Sequence, residues 1–183
     1  MPDVKITDYK GEVYYELMGY YGTKDMENYL SGIPENPGDL YQNLDFENEK
    51  VPTDEELMLL SGSYQSLAQR STNRTIKHEF INFSNNLFNK CIKTCKNQDF
   101  IEKSYLSKSF NSVLLKSSGK AIREIDITRI SDNNKPYALY ILANAHLDEN
   151  NAAEAEKLIR EIEQTGNQQW ISYAHLLKKK YAR

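Results

Sequence analysis

The side chains in this sequence that could do chemistry are few and do not converge. Cys91 and Cys95 stand four apart, about 40° round a helix, so both thiols share a face. A zinc site needs about two further ligands. The nearest candidate, His78, lies 13 residues before Cys91, about 220° round the same helix, and points away. The pair reads instead as two small buried apolar side chains. His146 falls on an apolar helical face and reads as a core histidine, while His175 adjoins Leu176 and His78 adjoins Glu79. No serine, cysteine and histidine set forms a nucleophile elbow, HExxH does not occur, and the eight glycines never form a phosphate-cradling run. Asp54, Glu55 and Glu56 read as first-turn acids that complement a helix dipole. The expectation is a chain without catalysis, metal or cofactor.

Binding chemistry is better represented. The chain has 183 residues, with 23 Lys plus Arg against 26 Asp plus Glu, and its net charge of -3 is unevenly spread. Residues 1 to 60 carry 14 acids and 4 bases, 61 to 135 carry 6 acids and 13 bases, and 136 to 183 carry 6 of each. In the basic segment 74 to 129, Lys77, Lys90, Lys93, Lys96, Lys103, Lys108, Lys116, Lys120 and Arg123 offer a surface for phosphate. They equally suit a solvated outer face docked in part against the acidic segment 35 to 56. No aromatic residues interleave with them at a spacing suited to stacking bases, which favours the outer face. The tyrosines crowd toward the start of the chain, at Tyr9, Tyr14, Tyr15, Tyr20, Tyr21 and Tyr29. Two readings stay open for them: a docking patch of large, low-entropy side chains with Tyr14 and Tyr21 as contacts, or a wide core-facing side.

These groups must be positioned by helices. Thr53 with Glu56 forms a capping-box signature, followed by Leu57, Leu60, Tyr64 and Leu67 on one face. Ile76, Phe80, Phe83, Leu87, Cys91 and Cys95 make a stripe at spacings of 4, 3, 4, 4 and 4, which predicts a helix of about five turns. A helix over about 101 to 116 follows, ended by Gly119, and another runs from Lys120 to about Ile130. Pro136 opens a helix to about Asp148, Asn151 with Glu154 caps the next, and a last one runs from about Gln168 to Tyr181. Nearer the start, Val13, Tyr14, Leu17, Met18 and Tyr21 fit a helical face, and residues 34 to 50 read as a long loop. No alternation of period two persists, so a sheet is not required.

From Pro136 to Asn167 the sequence resembles a tetratricopeptide repeat, the helix-turn-helix unit of about 34 residues. Leu139, Leu142, Ala143, His146, Ala155, Ile159 and Ile162 fall at its patterned positions, with Leu139 for the usual Trp, His146 for Tyr, Asn167 for Pro and Ile162 for Ala. One repeat length onward, Tyr173 and Leu176 take the positions of Leu139 and Leu142, with Leu177 oversized. One repeat length back, Tyr105 and Ala121 are in place, though Lys108 and Ser109 break the pattern. By this resemblance the first helices line a concave groove for a peptide or partner helix, faced by Tyr137, Tyr140, Asn144, Leu147 and Asp148, with Lys178 one unit on as a cation for an acidic group.

The expected protein is therefore all-α, with antiparallel helical hairpins stacked as a tetratricopeptide-like, right-handed array or as an irregular bundle. Residues 1–52 form an acidic, tyrosine-rich segment, and 53–183 a repeat-like domain. Its expected function is non-catalytic protein–protein interaction, as an adaptor, chaperone-like or regulatory module binding a protein or peptide. The alternatives are a nucleic-acid or phosphate-binding regulator using residues 74 to 129, and an immunity-type or antitoxin-type protein that masks a basic partner. No run approaches the roughly 18 apolar residues of a membrane span, and two cysteines without a framework suggest a reducing cytoplasm.

Overall fold

A computed structural model describes residues 4–7, 13–17, 22–32 and 52–181. The chain divides into two compact units, Met1–Leu87 and Phe88–Arg183, so the boundary falls inside a helix and well past the expected one at residue 52.

In the first unit, β1 (Val4–Thr7) and β2 (Val13–Leu17) form a two-stranded antiparallel sheet. Val4 pairs with Leu17, Lys5 with Glu16 and Ile6 with Tyr15, and the register slips before Thr7 meets Val13. The expected helical face through Val13 and Leu17 is thus a strand, and the expectation that no sheet is needed fails here. Val-Tyr-Tyr has strong strand propensity, but so short a run lets a period of two pass for a helical spacing. The α1 helix (Thr23–Gly32) precedes α2 (Asp54–Arg70) and α3 (Arg74–Thr94). The capping box forms as expected: Glu56 N–H donates to Thr53 Oγ1 at 3.2 Å and Thr53 N–H to Glu56 Oε2 at 2.7 Å. Leu57, Leu60 and Leu67 are buried, as are Ile76, Phe80 and Ile81, and Tyr64 stacks on Phe83 at 5.3 Å. Phe83, expected inside, is partly exposed, while Ile81 and Ser84 are buried beside the predicted stripe. The end of α1 seats on the α2–α3 turn. Ser71 Oγ donates to the Gly32 carbonyl at 2.7 Å, and a Cβ on Gly32 would fall 2.1 Å from the Asn73 Cβ, so only glycine permits that approach.

The second unit begins with the last turns of α3. Cys91 and Cys95 are buried there, but the two sulfurs are joined as a disulfide. This corrects the expectation of two independent thiols, and a reducing compartment no longer follows from them. After Asn97, whose side chain caps the helix by accepting from Asp99 N–H, come α4 (Gln98–Leu114), α5 (Ser118–Glu124), a turn of 3-10 helix (Ile127–Arg129), α6 (Lys135–Asp148), α7 (Ala152–Gln164) and α8 (Gln168–Tyr181). The predicted helix from Lys120 to Ile130 is therefore shorter and broken. Gly119 does not stop α4. Lys116 takes the left-handed stop, with φ of 60°, and Gly119 lies inside α5, donating its N–H to Glu149 Oε1 at 3.1 Å. Pro136 sits in the first turn of α6, and Asn151 Oδ1 accepts from Glu154 N–H at 3.3 Å to cap α7.

Two apolar clusters hold this unit together. Leu139, Leu142 and Ala143 of α6 pack with Leu158, Ile159 and Ile162 of α7 and with Ala174 and Leu177 of α8. On the other side of α6, Ala138, Ile141 and Ala145 pack with Leu106, Phe110 and Val113 of α4 and Ala121 of α5. The short turn from Asp148 to Ala152 makes α6 and α7 an antiparallel hairpin. Burial recurs at the repeat length between the two hairpins: Ser104 and Ala138, Ser107 and Ile141, Asn111 and Ala145, and Ala121 and Ala155 are all buried. The recurrence fails at α8. Tyr173 and Leu176 are 40% and 61% exposed, and the buried pair is Ala174 and Leu177, one position further on.

A polar latch fixes the loop before α6. Ser131 N–H donates to Glu102 Oε1 at 3.1 Å, the Ser131 hydroxyl donates to Glu102 Oε2, and Asn134 Nδ2 lies 2.9 Å from Asp99 Oδ1 and 2.6 Å from Glu102 Oε2. Burial pushes the Glu102 carboxyl up, but these hydrogen bonds outweigh it and hold the group below its usual range.

Candidate partner-binding surface

On α6, Tyr137 and Tyr140 are three positions apart and so share a helical face, as do Trp170 and Tyr173 on α8. The packing of α6 between α4 and α8 brings these faces together with Phe110 of α4. Tyr137 stacks on Trp170 with ring centroids 5.0 Å apart and an interplanar angle of 23°. Tyr140 meets Trp170 at 5.7 Å and Tyr173 at 6.1 Å, and Trp170 meets Tyr173 edge-on at 5.5 Å. Phe110 closes the set, 6.5 Å from Tyr137 and 6.0 Å from Tyr140. Five rings from α4, α6 and α8 thus make one continuous wall, each pair stabilising it by about 0.5 to 1.5 kcal/mol beyond area burial.

The wall has polar tips. The Ser107 and Tyr137 hydroxyls share a hydrogen bond of 3.1 Å, and burial pushes the Tyr137 hydroxyl far above the ordinary tyrosine range. Burial raises Tyr140 as well, with a hydrogen bond to Asn144 acting against it. The surface offers apolar area and a ring face at Tyr173.

The structure places the expected contact residues in different surroundings. Tyr137 and Tyr140 are in the wall and half-buried. Asn144 is buried, and its Nδ2 donates to the Tyr140 carbonyl at 3.0 Å. Leu147 packs against the α6–α7–α8 cluster. Asp148 is a junction: Lys116 Nζ lies 2.6 Å from Oδ1, Tyr181 donates its hydroxyl to Oδ1 at 2.8 Å, and Ser118 donates to Oδ2 at 3.1 Å. Burial pushes its carboxyl up, but the hydrogen bonds from Lys116, Tyr181 and Ser118 outweigh this and leave it below the ordinary range. Lys178 Nζ pairs with Glu163 Oε1 of α7 at 2.7 Å, where His175 Nε2 also approaches to 3.3 Å. Tyr14 lies in β2 with its side chain outside the described residues, and Tyr21 lies outside them altogether.

The sequence does not single out Phe110 or Trp170 as contacts, and it marks Tyr173 only as the repeat equivalent of Leu139. The signal that moves Trp170 and Tyr173 to the wall is their spacing, which matches that of Tyr137 and Tyr140. Much of the basic segment is engaged by its own unit: Lys103 with Asp99 at 2.7 Å, Lys108 with Asn89 at 2.6 Å, Lys116 with Asp148, and Lys120 with Glu124 at 3.8 Å. The acidic segment expected to dock on it lies, for residues 35 to 51, outside the described residues. Among the described residues, no three His, Cys, Asp or Glu side chains are grouped to hold a metal ion, and no helix is long and apolar enough to cross a membrane.

No protein-family model matches this chain, and no curated protein and no solved structure is similar to it.

Proposed function

We propose that this protein is a non-catalytic interaction module, a tetratricopeptide-like stack of helical hairpins that holds a peptide or partner helix against the wall formed by α4, α6 and α8. The observation that carries the proposal is the wall itself: five rings drawn from three helices, stacked on one another yet reaching the surface at Tyr173. Tyrosine and tryptophan combine large contact area with few torsions to freeze, which is why such clusters anchor interfaces. The recurrence of burial from α4 to α6 at the repeat length supports the likeness to a repeat array.

The mechanism is binding. Rings supply apolar contact, and the surplus of bases in the Phe88–Arg183 unit, 16 against 11 acids, steers an acidic partner. Asn144 and Asp148 serve inside the fold in this scheme, Asn144 by holding the Tyr140 carbonyl and Asp148 by joining α6 to α8. The test is recovery of interacting proteins from the native cell with the wild type and with Tyr140→Leu, which keeps apolar volume but removes a ring. Loss of one co-purifying protein with an unchanged melting temperature supports the proposal. Retention of every partner by the variant removes the wall from the interface.

A further inference from the structure

We propose that the Cys91–Cys95 bridge is a reversible redox clasp, opened at Cys95 by a dithiol reductant, and that opening it frees the last turn of α3 where the chain passes into α4. The bridge ties nothing distant, since it joins residues four apart at the end of one helix. Closing so small a ring removes little entropy from the unfolded chain, because a bridge's contribution to stability grows with its loop. The turn it spans is already held: Cys95 N–H donates to the Cys91 carbonyl at 2.8 Å, and Thr94 Oγ1 donates to the Lys90 carbonyl at 2.9 Å. The bridge can therefore open without unfolding the chain, and its effect is local. Cys91 and Cys95 are the only two cysteines in the sequence, so no third thiol competes for either sulfur.

Access sets the direction of attack. Cys91 is 0% exposed, whereas Cys95 is 8% exposed and stands just past the last helical residue, Thr94, so an incoming thiolate reaches the Cys95 sulfur. It bonds to that sulfur, and the bond to Cys91 breaks with its electron pair going to Cys91, which takes up a proton. The second thiol of the reductant, as thiolate, then displaces Cys95, which is protonated in turn. Two electrons and two protons have passed, leaving two protein thiols and the reductant as a disulfide. A helix C-terminus disfavours a thiolate, and Lys90, Lys93 and Lys96, exposed and with no acid from Phe80 to Gln98, offset this. Once unbonded, each sulfur needs its own van der Waals volume. Cys91 has no solvent-facing room to give, so Cys95 moves outward, with only Lys96 and Asn97 between it and the start of α4. None of the five wall rings lies on α3, so this reading and that of the ring wall fail separately.

The experiment incubates the folded full chain with dithiothreitol, without denaturant, and traps thiols with iodoacetamide for counting by mass spectrometry, with circular dichroism as the folding control. No thiol should be trapped before reduction and both after it. Trypsin is then added to each form, and cleavage after Lys93 and Lys96 should run at least about tenfold faster in the reduced chain, as local opening of the turn requires. Replacing dithiothreitol by oxidised glutathione should restore the bridge and the slow cleavage. Cys91→Ser with Cys95→Ser should be cleaved at the fast rate with or without dithiothreitol, and the two wild-type forms decide the question even where that variant fails to fold. Free thiols before reduction, a bridge that opens only in urea, or a bridge that opens with cleavage unchanged would each overturn the clasp.

Discussion

The pair α4 and α5 and the pair α6 and α7 bury several positions in the same repeat register with different chemistry. Where α6 buries Ala138, Ile141 and Ala145, α4 buries Ser104, Ser107 and Asn111. Where α7 runs for 13 residues, α5 runs for seven. α6 and α7 close around a core of leucine and isoleucine, whereas the buried polar groups of α4 find hydrogen-bond partners inside α4 and toward α6: Ser104 Oγ donates to the Phe100 carbonyl at 2.8 Å, Ser107 bonds Tyr137, and Asp99 and Glu102 hold Asn134. A repeat position can keep its burial while losing its hydrophobicity, provided each buried polar group finds a partner.

The largest effect should come from emptying the cluster that joins α6 to α4 and α5. Ile141→Ala removes buried methyl and methylene groups from a fully covered site and should cost about 3 kcal/mol in urea unfolding. Next is the junction: Asp148→Ala should cost about 2 kcal/mol at pH 7, the scale of buried hydrogen bonds to a charged group. Its carboxyl is held below 3.8 in the folded chain, so that stability is full above the unfolded value and lost as pH falls through the folded one. The gap between wild type and variant should therefore close in melts taken at successively lower pH, below the ordinary aspartate range. Gly166, with φ of 71° and nothing near its missing side chain, should lose about 1 kcal/mol as Gly166→Ala from backbone strain alone. The smallest effect sharpens the comparison most. Ser104→Ala installs the residue that α6 carries at the equivalent position, removes donor and competing back-bond together, and should change stability by less than about 0.5 kcal/mol.

The same contrast explains what the sequence shows. The α6–α7 unit is legible because apolar residues fall at helical spacing and Pro136, Asn151 and Gly166 mark its ends. The α4–α5 unit looks degenerate because serine at a buried position resembles serine at an exposed one; only its partner, such as Tyr137 for Ser107, distinguishes them. Asp148 looks like a groove residue because its partners Lys116 and Tyr181 stand 32 and 33 residues away, with no local spacing to announce them. Lys116 replaces the glycine that ordinarily marks a left-handed stop, which draws the predicted helix end to Gly119. The short strands β1 and β2 offer too few positions for their period to be read. Of the wall, Tyr137 and Tyr140 are visible as groove positions, while Trp170 and Tyr173 are hidden by their apolarity, which is equally that of a core.

The most direct test of the wall as an interface is a crosslinking comparison in the native cell, with a photoreactive group placed at Tyr173 in one sample and at Lys157, on the outer face of α7, in the other. A discrete protein adduct should form from position 173 and disappear with Tyr140→Leu, and no such adduct should form from position 157. Equal adducts from both positions, or an adduct at 173 that survives loss of the Tyr140 ring, would contradict the wall as an interface.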